Sequence, residues 1–279
     1  VEGHSHAFEG AVWRYVYCGW FDRMAPDGKV WPGARSIDDV VGRLSQEEKK
    51  LADPSVALTG WGLDPIYFDN KRITRADLDR VSKDRPIGVM HASFHILNVN
   101  TKALELAGLL KPGVNNPAIP LGTDGLPTGE MKGPEGMAPV AAIVGLDRAM
   151  ISGDERGLRD FARLCVRKGV TTATDLANPL PPDVVDMMLK ATGTADYPAR
   201  IVPLRRFLGE PPEKAIADAA ALKAKSSDRL RLGIVKIVVD GSIQGFSARL
   251  RWPGYYNGAP QGLWYVAPPH LAEALERAL

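Results

Sequence analysis

From Asp154 onward, amphipathic helix patterns alternate with short apolar strand patterns, and that alternation restricts the fold more than any other feature of the chain. Asp154 to Arg167 carries Leu158, Phe161, Ala162, Leu164 and Cys165 at helical spacing, and Gly169 stands where a C-cap glycine belongs. Val170 to Asp175 follows as a short β-branched strand. The spacing then predicts a helix over Asp183 to Thr192, a strand over Arg200 to Leu204, and an Ala-rich helix over Glu213 to Lys225. Gly233 to Asp240 reads as a strand apolar on both faces, as a buried parallel strand should be, and Pro268 to Leu279 as a further helix. A first strand ends at His4 and His6. Four strands, the later ones alternating with helices, predict a parallel α/β sheet or barrel.

Residues between the first strand and Asp154 have a different character. Ser36 and Thr74 each stand three residues before an acid, as helix N-caps do, and Asn100 is placed to cap a helix over Thr101 to Ala107. Ile87 to Met90 reads as a strand, and the Pro- and Gly-rich stretch from Lys111 to Pro139 as an extended loop or a pair of short strands. The predicted division is a first strand and turn over residues 1–12, an insertion over 13–150 that forms a lid or subdomain, and strands 2–4 with their helices over 151–279.

Composition narrows the function. A formal charge of +2, with basic and acidic residues interleaved, argues against a nucleic-acid partner. No apolar run approaches the length of a membrane span. Cys18 and Cys165 are too few for a disulfide framework or a Cys-based zinc site, which fits a reducing compartment and a cytoplasmic location. The start at Val1, with no initiating Met, leaves a leader on a longer parent open. Nothing in the composition opposes a homodimer.

His4-Ser5-His6 is the motif with the most chemistry. Histidines at i and i+2 of a strand point the same way and can place two imidazoles on one metal ion. His91 and His95 have the spacing of a helical zinc pair, but Gly88-Val89-Met90 makes His91 strand-like, so the two should not share a helical face. Asp175 and Asp240, at the C-terminal ends of strands two and four, face the functional mouth of a barrel or cap the turns that follow. Trp13, Tyr15, Tyr17, Trp20 and Phe21 either pack a core or line an apolar pocket.

Several short motifs occur in a telling order: Glu2-Gly3-His4-Ser5-His6, Trp61-Gly62-Leu63-Asp64, Asp77-Leu78-Asp79, His95 with Asn98 and Asn100, Asp124 to Gly129, Gly169-Val170-Thr171-Thr172, and Val235 to Ser242. Together they resemble the amidohydrolase superfamily, in its family 3 branch of YtcJ-like and N-substituted formamide deformylase-like hydrolases. The resemblance implies a distorted metal-dependent-hydrolase TIM barrel, one or two divalent ions, usually zinc, at its C-terminal mouth, and hydrolysis of an amide- or formamide-type C–N bond in a small molecule. It makes His4 and His6 metal ligands, Lys236 on the fourth strand the candidate bridging carboxylated lysine, and His95 and Asp240 substrate-side residues.

A lysine between Val235 and Ile237 is costly as a buried ammonium, so its pKa should fall and the neutral amine could take up carbon dioxide to become an anionic carbamate. The alternative is a strand-end lysine that reaches solvent or pairs with Asp240. Glu130 and Glu135 lie near the family's Thr-Gly segment, but Gly133 stands where many relatives have an acid. The family's further histidines and its catalytic Asp have no counterpart, since His270 begins a helix pattern; the Asp is expected beyond Leu279. The fold expected is therefore the first half of a barrel with a large insertion after strand 1. The alternative function is a non-catalytic fragment or binding domain lacking the remaining ligands.

Overall fold

A computed structural model describes residues 1–146, 153–207 and 210–278. The boundary expected at residue 150 and the helix end at Leu279 lie outside them. The elements used below, in chain order, are α1 (Phe8–Ala11), β1 (Val16–Tyr17), the hairpin β2 (Arg23–Met24) and β3 (Val30–Trp31), α2 (Ile37–Glu48), β4 (Leu58–Leu63), α3 (Arg75–Asp79), β5 (Ile87–His91) and β6 (Ile96–Val99). They continue with α4 (Thr101–Leu106), β7 (Glu130–Lys132), α5 (Gly133–Ala141), α6 (Glu155–Arg167), β8 (Thr172–Asn178), α7 (Pro182–Thr192), β9 (Arg200–Phe207), α8 (Pro212–Leu222), β10 (Ile234–Ile237) and α9 (Pro268–Ala278).

The alternating region folds as its periodicity predicts. Asp154 caps α6 by accepting from the Gly157 amide, and Leu158, Phe161, Ala162 and Cys165 form its buried stripe. Gly169 ends the helix in the left-handed region, with its own amide bonded to the Val166 carbonyl and the Val170 amide to the Cys165 carbonyl, the paired closure of a Schellman motif. β8, β9 and β10 pair in parallel in that order, and Glu2 adds a parallel bridge to Ala173 on the free side of β8. Four parallel segments thus stand side by side in chain order, as in one side of a barrel, with α6, α7 and Tyr197 packed on the outer face.

Two expectations need correcting. The first strand is reduced to the Glu2 bridge, because the chain turns into α1 at Phe8. β10 is not buried on both faces: Val235 and Ile237 pack against the cluster of α8 and α9, whereas Ile234 is exposed and Lys236 half-buried on the other face of an edge strand.

The inserted stretch builds a separate five-stranded sheet in the order β1-β4-β5-β6-β7, parallel from β1 to β5 and antiparallel beyond. Val40 and Leu44 of α2 and Leu78 of α3 cover one face, and Leu104 of α4 and Val140 of α5 the other. Ser36, Thr74 and Asn100 cap their helices as predicted, and Thr74 with Asp77 forms a complete capping box. The stretch from Lys111 to Pro139 is not simply extended: it supplies β7 and then α5. No helix among the described residues is long and apolar enough to cross a membrane.

Candidate functional site

His4 and His6 meet without lying on a regular strand. The Thr174 amide donates to the Glu2 carbonyl and the Leu176 amide to the Ser5 carbonyl. The first segment therefore advances three residues while β8 advances two, and the extra residue bulges out around Gly3 and His4. The Ser5 hydroxyl donates to the Thr174 carbonyl at 2.6 Å and locks the bulge against β8. The two imidazoles end with ring centres 5.6 Å apart at 72°. Two imidazoles sharing a tetrahedral ion through bonds of roughly 2 Å have centres about 5 Å apart, so the pair is close to that arrangement.

Neighbouring groups hold His6 in place. The Ala7 amide donates to Asp175 Oδ1 at 3.1 Å, and Asn178 donates to the other oxygen at 2.9 Å. Asp175, 1% exposed, thus anchors the turn after His6 and does not project into the mouth. The His6 amide donates to the Glu9 carboxylate at 3.1 Å, and Phe8 stacks on the His6 ring at 4.8 Å. Burial, reinforced by the positive fields of His4, Lys236 and His95, lowers the His6 pKa to about 4, so its ring is neutral at pH 7. Its Nδ1 is buried without a hydrogen-bond partner. Burial raises Glu9 to about 7, against the opposing His6 amide.

The insertion brings the opposite wall. In the loop between β5 and β6, Phe94 adopts a left-handed φ of 59°, a strained choice for a non-glycine residue, and packs edge-on against Phe8 at 4.5 Å. The next residue, His95, stacks on Tyr265 with ring centres 5.7 Å apart and its Nδ1 3.3 Å from the phenol oxygen. Gly133 makes room for that ring: a Cβ there would lie 2.6 Å from Tyr265. Burial lowers the His95 pKa, Asp240 opposes that shift, and Lys236 and His4 add to it.

Two cavities, of about 860 and 640 Å³, adjoin this cluster, and His4, His6, Phe94 and His95 border both. Lys236 and Asp240 border the smaller one only. All five sequence-predicted site residues therefore converge on one place. Among the described residues, no group of three or more His, Cys, Asp or Glu side chains could hold a metal ion. The candidate donors are the paired rings of His4 and His6, with Lys236 lining the same smaller cavity. The buried, unpartnered Nδ1 of a neutral, half-buried His6 fits a ligand role.

Other expectations resolve structurally. His91 is fully buried and bonds Asn98 through Nε2 at 2.6 Å, so it shares no helical face with His95. Glu130 is buried between Arg72 and Lys132 at 3.0 and 3.4 Å, and Glu135 is exposed on α5. Trp13 and Trp61 both border the larger cavity; Tyr17 stacks on Trp13 and Trp61 meets it edge-on, and Tyr17 and Trp61 also belong to the core. Sequence reasoning missed Glu9, Tyr265 and Arg206. Only Glu9 left a signal, three residues after His6 at the spacing of a side chain that reaches back to an amide.

Two solved structures share the fold over 99% of this chain. An uncharacterized metal-dependent hydrolase from Pyrococcus horikoshii OT3 superposes with a TM-score of 0.56 at 18% identity, and one from Pyrococcus furiosus with 0.52 at 19%. This chain spans 50% and 51% of their lengths, so it has the architecture of about half of such a hydrolase. No curated protein is significantly similar to it. The sequence model of the amidohydrolase family matches residues 1–276, and with that match the chain belongs to the amidohydrolase family.

Proposed function

We propose that this chain carries one side of the active site of a metal-dependent amidohydrolase that cleaves an amide- or formamide-type C–N bond in a small molecule in the cytoplasm. His4, His6 and Lys236 are the ligands it contributes, and zinc is the ion this donor set suits. Bound zinc supplies a water whose pKa falls to about 7, together with polarisation of the scissile carbonyl. The single observation that carries the reading is the neutral His6 ring, whose buried Nδ1 has no partner, beside His4 and on the same cavity as Lys236.

The chain's own groups then divide the work. Glu9 and Asp175 fix the backbone on either side of His6, and Phe8 fixes the plane of its ring. His95 and Tyr265 present hydrogen-bonding atoms at the wall of the smaller cavity, where Asp240 adds an acceptor. Phe94 packs edge-on against Phe8, which in turn covers one face of the His6 ring.

Zinc affinity, read by competition with a chromophoric chelator, tests the assignment: His6→Ala should weaken it by about tenfold or more, and an unchanged affinity would sink the ligand role. A second reading, that these 279 residues alone bind without turning over, is favoured by the lack of any three-ligand group among the described residues. Chelator-sensitive hydrolysis of a simple formamide by the isolated chain would exclude it.

A further inference from the structure

The smaller cavity has a feature the metal chemistry does not use. Arg205 and Arg206 are neighbours on β9, and strand alternation sends them to opposite faces. Arg205 turns to the outer face, where it meets Glu210 at 2.7 Å and Asp218 at 3.3 Å. Arg206 is half-buried on the wall of the 640 Å³ cavity, in register with Lys236 on β10, and makes no ion pair among the described residues. The acid bordering that cavity, Asp240, already accepts from the Arg249 amide at 2.9 Å. Phe8, Met90, Met137, Ala141 and Leu146 line the same cavity with apolar side chains, drawn largely from the stretch before α6.

A guanidinium withdrawn from water beside apolar side chains is unfavourable until an anion meets it, and its planar fork matches a carboxylate. We propose that Arg206 is an anion subsite that takes the carboxylate of a substrate whose other end is apolar. Resting on the hydrolase reading above, this makes the substrate class a carboxylate-bearing amide with a hydrophobic acyl group, its C–N bond held beside His4 and His6. The cavity volume lies within the range that encloses a small organic ligand.

The probe is hippurate (N-benzoylglycine), compared with its uncharged analogue hippuramide by calorimetry on the chelator-treated, metal-free chain. Hippurate should bind about tenfold more tightly than hippuramide. Arg206→Gln should bring the two within about twofold, and Arg206→Lys should keep part of the preference because it keeps the charge without the fork. Equal affinities in the unmodified chain overturn the proposal without any variant. So does a preference that survives Arg206→Gln, or one that disappears in Arg23→Gln, which alters the larger cavity instead. Because the measurement excludes metal, a failed zinc site would leave the hippurate preference standing, and a failed preference would leave zinc binding untouched.

Discussion

The two larger sheets of this molecule achieve burial by different means. In the β8-β9-β10 sheet, β9 alternates: Ile201, Pro203 and Phe207 are buried on the outer face, while Val202, Leu204 and Arg206 remain half-buried on the other. In the five-stranded sheet, every residue of β4, β5 and β6 is buried, because helices cover both faces. A one-sided sheet keeps a free face for chemistry, and Arg206 and Lys236 occupy it. A two-sided sheet has no such face and offers its loops instead, which is how Phe94 and His95 reach the same site.

The largest expected effect breaks the two-sided sheet alone. Arg85 is 1% exposed and donates to the carbonyls of Leu51, Asp53 and Val56, as well as to Glu48. Arg85→Met leaves the Leu51 and Val56 carbonyls without a partner, while the Asp53 carbonyl keeps the Val56 amide, and should cost about 4 kcal/mol in urea denaturation. If the sheets contribute separately to the site, zinc affinity of the folded variant will equal that of the parent. A parallel loss of affinity would show that the His4–His6 pair depends on the insertion.

Gly10→Ala attacks the other side. α1 follows His6 directly and packs backbone-to-backbone on α6, where a Cβ on Gly10 would stand 2.0 Å from the Gly157 carbonyl oxygen and 2.4 Å from the Phe161 nitrogen. Neither atom can swing aside, so α1 must move, at a cost of about 3 kcal/mol. Because His6 is tied to α1 through Glu9, zinc affinity should fall along with stability. Lost stability with intact affinity would show that the bulge bonded to β8 positions the imidazoles unaided.

The same contrast explains what could be read from the residues. α6 and its Gly169 closure were legible because a one-sided helix has an unambiguous stripe and a glycine stop. β4 escaped because Thr59, Gly60 and Gly62 interrupt its apolar run, and β6 because it is four residues long with Asn98 inside it. α5 escaped because Gly133-Pro134 at its start and Pro139 inside it imitate a loop. The His4–His6 pair could be named from its spacing, but not the bulge that brings the rings together, which depends on bonds to residues some 170 positions away. Arg206 and Tyr265 were invisible for a similar reason. Nothing local marks an arginine whose acid is missing, or a tyrosine that meets a histidine 170 positions earlier.

Acid should divide the two sheets most finely. His91 is fully buried at the end of β5, and burial lowers its pKa to about 3, a shift that the Asn98 hydrogen bond only partly opposes. Near the ordinary value of 6.5 the unfolded chain begins to take up a proton that the folded chain refuses. Stability is therefore complete above pH 6.5 and falls as pH drops toward 3. At pH 5 the loss from this residue amounts to about 2 kcal/mol, since each unit of difference is worth about 1.4. His91→Gln, which can still bond Asn98 but cannot take up the proton, should remove about 2 kcal/mol of the fall in the urea-denaturation profile between pH 6.5 and 5 and leave the share that His6 contributes, even if it lowers the plateau. A profile just as steep in the variant would move the acid sensitivity away from the two-sided sheet and onto the groups around the His4–His6 pair.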